Sequence, residues 1–223
     1  MNVSEKAKNV TPSATLEITA RAKKLKADGA DLIAFTAGEP DFNTPDFIVE
    51  SAITALKRGY TKYTASAGIP ELRKAVAEKF RKDNGLECDE SNIVVSCGAK
   101  ASLYHALLAL IDDGDEVIVP SPYWVTYTEQ IKLCGGTPVT VRAKKENAYK
   151  MTAEEFERAV TPRTKALLIN SPCNPTGAVY SKDELISLAQ VCEKYGLYII
   201  SDEIYENLVF DGKKHYSIGA LTD

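Results

Sequence analysis

Histidine is scarce in this chain. His105 and His215 are the only two in 223 residues, and they stand too far apart for an obvious metal site. The five cysteines (Cys88, Cys97, Cys134, Cys173 and Cys192) are odd in number and never in C-x-x-C spacing. That argues against a zinc site or a disulfide framework and for free thiols in a reducing compartment. No apolar run approaches the roughly 18 residues of a membrane span. Met1–Val10 carries Glu5, Lys6 and Lys8 where a secretory signal has its apolar core. The expectation is a cytoplasmic protein with no membrane partner. Basic excess is missing too: 27 Lys and Arg stand against 31 Asp and Glu, a net charge of −4, which argues against nucleic acid as a partner. Neither G-x-G-x-x-G nor G-x-x-x-x-G-K-[ST] occurs, so the common nucleotide-binding α/β domains are poor rivals.

What is present is ordinary globular composition, 44% hydrophobic and 26% charged, in a length of one large domain or one and a half. Short β-rich runs recur at Asn92–Cys97, Glu116–Val119, Thr137–Val141, Ala166–Asn170 and Leu197–Ser201, with helix-length segments between them. That alternation predicts a parallel sheet in an α/β fold. The helices are punctuated. Thr44-Pro45 predicts an N-cap before a proline at the first helical position, with Gly59 ending that helix. Gly68-Ile69-Pro70-Glu71 opens a helix to about Asp83; Lys100–Leu110 and Tyr123–Leu133 follow the first two strands. Thr152-Ala153-Glu154-Glu155 and Ser181-Lys182-Asp183-Glu184 are capping-box patterns, and Gly196 suits the end of the second helix. The first 40 residues, with one helix over Ala14–Asp28, do not fit the strand–helix alternation and read as an arm or part of another domain.

Ligands of an open parallel sheet bind beyond the carboxyl ends of its strands. The first predicted strand ends in Ser96-Cys97-Gly98-Ala99-Lys100, a small-residue turn into a helix. Such a turn can be a turn and nothing more, or can aim free N–H groups and the helix dipole at a phosphate. The second strand leads to Pro120-Ser121-Pro122-Tyr123-Trp124, the only tryptophan. The fourth leads to Asn170-Ser171-Pro172-Cys173-Asn174-Pro175-Thr176-Gly177, and the fifth to Ser201-Asp202-Glu203-Ile204-Tyr205. Read singly, Trp124 suits a core, Asn174-Pro175-Thr176-Gly177 a β-turn and Asp202 a helix N-cap. Read together, they suit a flat, charged heteroaromatic phosphate. The helix start takes the phosphate and Trp124 stacks on the ring. Asp202 pairs with a protonated ring nitrogen, and Asn174 and Tyr205 bond a ring phenolate. Pyridoxal phosphate fits, since its protonated pyridine is an electron sink.

Six stretches carry a resemblance to a known family: Ala37-Gly38-Glu39-Pro40-Asp41-Phe42, Tyr60-Thr61-Lys62-Tyr63, Gly68–Arg73, Ser121–Trp124, Asn170–Gly177 and Ser201–Tyr205. In that order they resemble the class I (fold type I) aminotransferases, and most of all the bacterial aspartate aminotransferase branch. The resemblance implies a three-layer α/β/α large domain of mostly parallel sheet, incomplete here, over 46–223. A small-domain segment and N-terminal arm over 1–45 would precede it. It implies a seven-stranded sheet in the order 3-2-4-5-6-7-1, of which this chain holds strands 1 to 5, so that strand 1 lacks its neighbour and exposed edges leave the chain poorly folded alone. It also implies a homodimer with shared active sites, amino acid and 2-oxo acid substrates, and pyridoxal phosphate as cofactor.

The resemblance assigns roles by position. Gly98, Ala99 and Lys100 form the phosphate loop, and Tyr63 reaches the partner subunit's phosphate. Trp124 stacks on the ring, Asn174 and Tyr205 contact its phenolic oxygen, and Asp202 its nitrogen. Gly38, Trp124 and Asn174 lie against the substrate, with Thr15 and Lys100 near the distal carboxylate of aspartate. The Schiff-base lysine, in a Ser-x-x-Lys motif, falls after Asp223, so no catalytic lysine is expected in this chain. The expected reaction of the full-length protein is aspartate:2-oxoglutarate transamination. The alternatives are relatives acting on alanine, aromatic amino acids, prephenate or kynurenine, and a non-catalytic truncated module.

Overall fold

The structure, a computed structural model, describes residues 2–12, 14–36, 38 and 40–222. The chain divides into two compact units, 1–10 with 67–223, and 11–66. The smaller unit holds helices α2 (Ala14–Ala27) and α3 (Asp46–Lys57). Phe35, Phe42, Phe47 and Tyr60 of this unit are exposed, and α3 has no buried residue. The predicted N-cap falls one residue late: Pro45 occupies the cap, extended at ψ 139, with no side-chain cap bond, and Thr44 lies outside the helix. Gly59, at φ 79, ends the helical turn as expected.

The larger unit opens with the single turn α1 (Glu5–Lys8) and continues with α4 (Pro70–Lys79), α5 (Ala99–Leu110), β1 (Glu116–Ser121) and α6 (Thr126–Leu133). Then come β2 (Thr137–Arg142), α7 (Ala153–Ala159), β3 (Thr164–Asn170), α8 (Lys182–Tyr195) and β4 (Tyr198–Asp202). The four strands form one parallel sheet in the order β2-β1-β3-β4, the 3-2-4-5 portion of the implied order. Two capping boxes start α7 and α8 at Thr152 and Ser181, and Gly196 ends α8 at φ 64.

Alternation along the strands builds the layers. On β1, Val117 and Val119 join the core under α5 and α6, while Ile118 joins the core under α7 and α8. On β3, Ala166 and Leu168 take the first face, and Leu167 and Ile169 the second. Phe156, Leu185 and Leu188 close one layer; Leu107, Tyr127 and Ile131 close the other. Both faces of the sheet are covered, which is why its strands read as continuous apolar runs.

One predicted strand is absent. Asn92–Cys97 is no part of the sheet: Glu90–Asn92 is a 3₁₀ turn, and the residues after it run extended without a strand partner. The β-branched run Ile93-Val94-Val95 favours extended backbone, but a strand also needs a neighbour for its N–H and C=O groups. Here substitutes partly fill that need. Val95 N–H donates to the Ala67 carbonyl (2.9 Å), and Arg73 donates from Nε to Ile93 O (3.1 Å) and from Nη2 to Glu90 O. Gly68 sits so close to Val95 that an added Cβ would meet Val95 Cγ2 at 2.8 Å. The segment is thus held by the turn before α4, and Val94 is left 66% exposed. Two helices also differ at their ends. α6 begins at Thr126, leaving Tyr123 and Trp124 in the loop, and α4 finishes as a π turn over Phe80–Asn84.

Candidate functional site

Three neighbouring strands deliver their carboxyl ends to one edge of the sheet. β1 leads to Trp124 and Tyr127, β3 ends at Asn170 and leads to Asn174, and β4 ends at Asp202 and leads to Tyr205. The peptides Ser121-Pro122, Ser171-Pro172 and Asn174-Pro175 in these loops are cis.

Asp202 is the buried charge of this edge, 7% exposed. Its Oδ2 accepts from the Tyr127 hydroxyl at 2.7 Å, and its Oδ1 from the Ile204 N–H at 3.2 Å. The second bond closes a turn, not a helix N-cap, because no helix follows Asp202. Among the described residues Asp202 makes no ion pair. A carboxylate so placed lacks a positive partner. Burial first, and then the neighbouring Asp202 charge, push the Tyr127 hydroxyl far above the ordinary phenol range, so Tyr127 remains a donor at any working pH.

Asn170 joins two of the loops. Its Nδ2 donates to the Asp202 carbonyl (2.8 Å) and its Oδ1 accepts from the Asn174 N–H (2.7 Å). Asn174 Nδ2 in turn donates to the Tyr205 hydroxyl at 3.3 Å, so the two predicted phenolate ligands already touch. The Asn174–Gly177 stretch is also a real turn, closed by Gly177 N–H to Cys173 O at 2.7 Å.

Trp124 lies edge-on to Tyr127, with ring centroids 5.5 Å apart and planes at 82°. Lys100 Nζ sits 5.0 Å from the Trp124 ring centroid, a cation–π contact. Lys100 belongs to the first turn of α5, which Gly98 opens at φ 83, a conformation glycine adopts without strain. The amides of Ala99 and Lys100 have no intrahelical carbonyl to reach, and the helix dipole adds positive potential there. Ala99, Ser102 and Asp202 line one cleft of about 800 Å³ that runs beside β4. Trp124, Asn174 and Tyr205 do not line it; they join the same edge through Tyr127 and Asn170. Cys173 packs its Sγ near Pro122 O (3.7 Å), and Cys97 is exposed.

The remaining site residues, Thr15, Gly38 and Tyr63, belong to the 11–66 unit. Thr15 accepts the Thr19 hydroxyl on its carbonyl (2.8 Å), Gly38 has open space around it, and Tyr63 is fully exposed. Ala37 and Glu39, of the stretch around Gly38, lie outside the described residues, as does Asp223. Sequence reasoning missed Tyr127 and Asn170. The only signal for Tyr127 was its place three residues after Trp124, in the helix that the sequence predicts over Tyr123–Leu133.

This edge gathers a buried carboxylate, three aromatic rings and the start of α5 at the carboxyl ends of a parallel α/β sheet. Residues 30–223 match the family model for aminotransferase class I and II, and the chain belongs to that family. Members of it depend on pyridoxal phosphate. Among individual relatives, an aspartate aminotransferase of Geobacillus stearothermophilus is 50% identical over 222 residues, 100% of this chain and 56% of that protein. A probable aspartate/prephenate aminotransferase of Aquifex aeolicus is 54% identical over 215 residues, 96% of this chain and 55% of that protein. The solved structure of the Thermus thermophilus aspartate aminotransferase with maleate superposes with a TM-score of 0.96 at 48% identity, covering 99% of this chain and 58% of that one. The chain therefore spans little more than half the length of the relatives it matches. Among the described residues, no helix is long and apolar enough to cross a membrane.

Proposed function

We propose that this chain supplies the cofactor cradle of a pyridoxal-phosphate-dependent aminotransferase whose complete form transfers the amino group of aspartate to 2-oxoglutarate. The observation that carries the reading is Asp202: a buried carboxylate, hydrogen-bonded on both oxygens and without a cation. When bound, the cofactor supplies an electron sink for the bonds at the substrate α-carbon. Asp202 holds a proton on the ring nitrogen, because an adjacent opposite charge favours the charged form. Tyr127 keeps that carboxylate aimed. Asn174 and Tyr205 bond the phenolic oxygen, and Trp124 covers the ring. Gly98, Ala99 and Lys100 hold the phosphate at the start of α5.

The roles that cross between units or subunits belong to the same proposal. Tyr63 reaches the partner subunit's phosphate in a homodimer with shared sites, and Gly38 approaches the substrate α-carboxylate. Thr15 and Lys100 recognise the distal carboxylate. The proton-transferring lysine lies outside these 223 residues, the boundary in sequence between the small-domain segment and the large domain falls near residue 45, and the protein works in the cytoplasm. The names of the relatives support aspartate as the amino donor, and several pair it with prephenate; prephenate as an amino acceptor is the second reading. The test is a panel of amino donors and 2-oxo acids with the complete protein. Turnover is expected with aspartate and 2-oxoglutarate, and weakened cofactor binding with Asp202→Ala. A preference for alanine, aromatic amino acids or kynurenine overturns the aspartate reading.

A further inference from the structure

Glu203 and Glu206 alternate with Asp202 and Tyr205 along the turn that follows β4, and their side chains enter a second polar network. Glu203 accepts from Ser201 (2.8 Å) on Oε1, and from Ser217 (2.5 Å) and His215 Nε2 (3.0 Å) on Oε2. Glu206 pairs with Lys79 and accepts from Asn84 Nδ2 at 2.7 Å. Asn84 is the hub: its Nδ2 also donates to the Ser217 hydroxyl (2.8 Å), and its Oδ1 accepts from Lys79 (2.7 Å). Asn84 is 9% exposed and Ser217 3%. The π turn that ends α4 delivers Asn84 to this place, before Gly85 reverses the chain at φ 70.

Glu203, Glu206 and His215 bring ligand atoms within 4.8 Å of one another, the spacing of a metal cluster. All four carboxylate oxygens already accept hydrogen bonds, however, and a cation would have to displace the Lys79 ammonium. Both carboxylates are thus occupied by hydrogen bonds, while His215 Nδ1 is buried without a partner among the described residues. The charge state of the carboxylates agrees. Burial pushes the Glu203 carboxyl up, but the bonds from His215, Ser217 and Ser201 outweigh it and hold the carboxyl below its ordinary range. Lys79 and Asn84 do the same for Glu206 against its own burial.

The turn itself has little apolar anchoring. Ile204 is 61% exposed and Leu208 57%. What fixes it is polar: the Asp202 bonds on one side, and Glu203 and Glu206 on the other. We infer that Asn84 and Ser217 are positioning residues, which through Glu203 and Glu206 set the turn that presents Asp202 and Tyr205 to the cofactor ring. This rests on the reading of Asp202 and Tyr205 as ring contacts. Hydrogen bonds behind a contact residue decide how well it is aimed.

The test uses the complete protein with pyridoxal phosphate and two neutral substitutions, Asn84→Leu and Ser217→Ala, with Asp202→Ala as control and Ser217→Thr as rescue. Neither neutral substitution changes a charge near the ring. Cofactor dissociation and the pH midpoint of the bound cofactor's visible absorption are read, with circular dichroism confirming the fold. Asn84→Leu is expected to weaken cofactor retention by about tenfold and Ser217→Ala by about threefold. Both are expected to move the midpoint by roughly 0.3 pH unit or more, in the direction Asp202→Ala moves it, and Ser217→Thr is expected to restore both readouts. Folded Asn84→Leu and Ser217→Ala proteins with wild-type midpoint and affinity, beside an Asp202→Ala that shifts them, overturn the positioning role alone. Where Asn84→Leu fails to fold, the Ser217→Ala and Ser217→Thr pair decides. A wild-type protein that takes up no pyridoxal phosphate overturns the cofactor reading and this inference with it.

Discussion

Residues 92–97 and 164–170 have the same kind of sequence and opposite fates. Ile93-Val94-Val95 and Ala166-Leu167-Leu168-Ile169 are both short apolar runs with turns on either side. The second is β3, paired on both edges and buried on both faces. The first is an extended segment held by Arg73, Gly68 and Ala67, with no place in the sheet. Propensity makes a chain extended; a hydrogen-bonded neighbour makes it a strand. The first segment also leads into Gly98 and the start of α5, whereas the second leads into Asn170 and Asn174. The two halves of the proposed site thus rest on supports of unequal strength.

The largest expected effect breaks that contrast directly. Ile169→Ala removes a side chain 1% exposed and is expected to cost about 2–5 kcal/mol. Val94→Ala, at a position 66% exposed, is expected to stay within about 0.5 kcal/mol in this chain. Urea unfolding of both variants is the measurement, and equal losses would remove the distinction. Hydrogen exchange sharpens it: the amides of β3 are expected to exchange slowly, and those of 93–95 fast, in this chain. In the complete protein the second set is expected to slow, if further strands supply the missing neighbour.

Next in size is the site carried by the stronger support. Asp202→Ala is expected to weaken cofactor binding to the complete protein about 10- to 100-fold, the range of a hydrogen bond to a charged group. Tyr127→Phe keeps the buried ring and removes one donor, so about a three- to tenfold loss is expected, read by equilibrium dialysis. If Tyr127→Phe matched Asp202→Ala, the hydroxyl itself would be the cofactor contact.

Smaller effects lie at the element ends. Ser181→Ala removes the cap of α8, where Glu184 N–H donates to Ser181 Oγ, and is expected to cost about 1 kcal/mol in thermal unfolding. Glu116, at the start of β1, is held below the ordinary carboxyl range of 4.5, mainly by the Thr161 hydroxyl and, against burial, also by Arg163. A depressed carboxyl contributes stability that is present above its unfolded pKa and is lost as pH falls through the folded one. Glu116→Gln is therefore expected to flatten the loss of stability below about pH 4.5, by about 1 kcal/mol or less, as urea titrations at pH 3 to 7 will show.

Legibility followed the range of the interaction. Capping boxes at Thr152 and Ser181, and the glycine ends at Gly59 and Gly196, involve residues within four positions, so their signals sat whole in the sequence. Asp202 and Asn174 were legible as types of residue at strand ends, where ligands gather. Their partners were not. Tyr127 reaches Asp202 across 75 positions and Asn84 reaches Ser217 across 133, and nothing local marks either pair. The run at Asn92–Cys97 forms no ladder in this chain, in keeping with the implied order, which sets strand 1 beside a strand these residues do not include; its composition alone reports only the backbone's preference.

By itself, then, the sequence determined the local choices: where helices start and stop, which runs are extended, and which polar residues end each strand. Steric limits on φ and short-range hydrogen bonds enforce these whatever the rest of the chain does. Tertiary structure alone decided which extended runs became strands and which carboxylate was buried without a cation. It also decided how the turn bearing Asp202 and Tyr205 is held from two sides. These depend on groups far apart in the chain, brought together by burying both faces of one sheet.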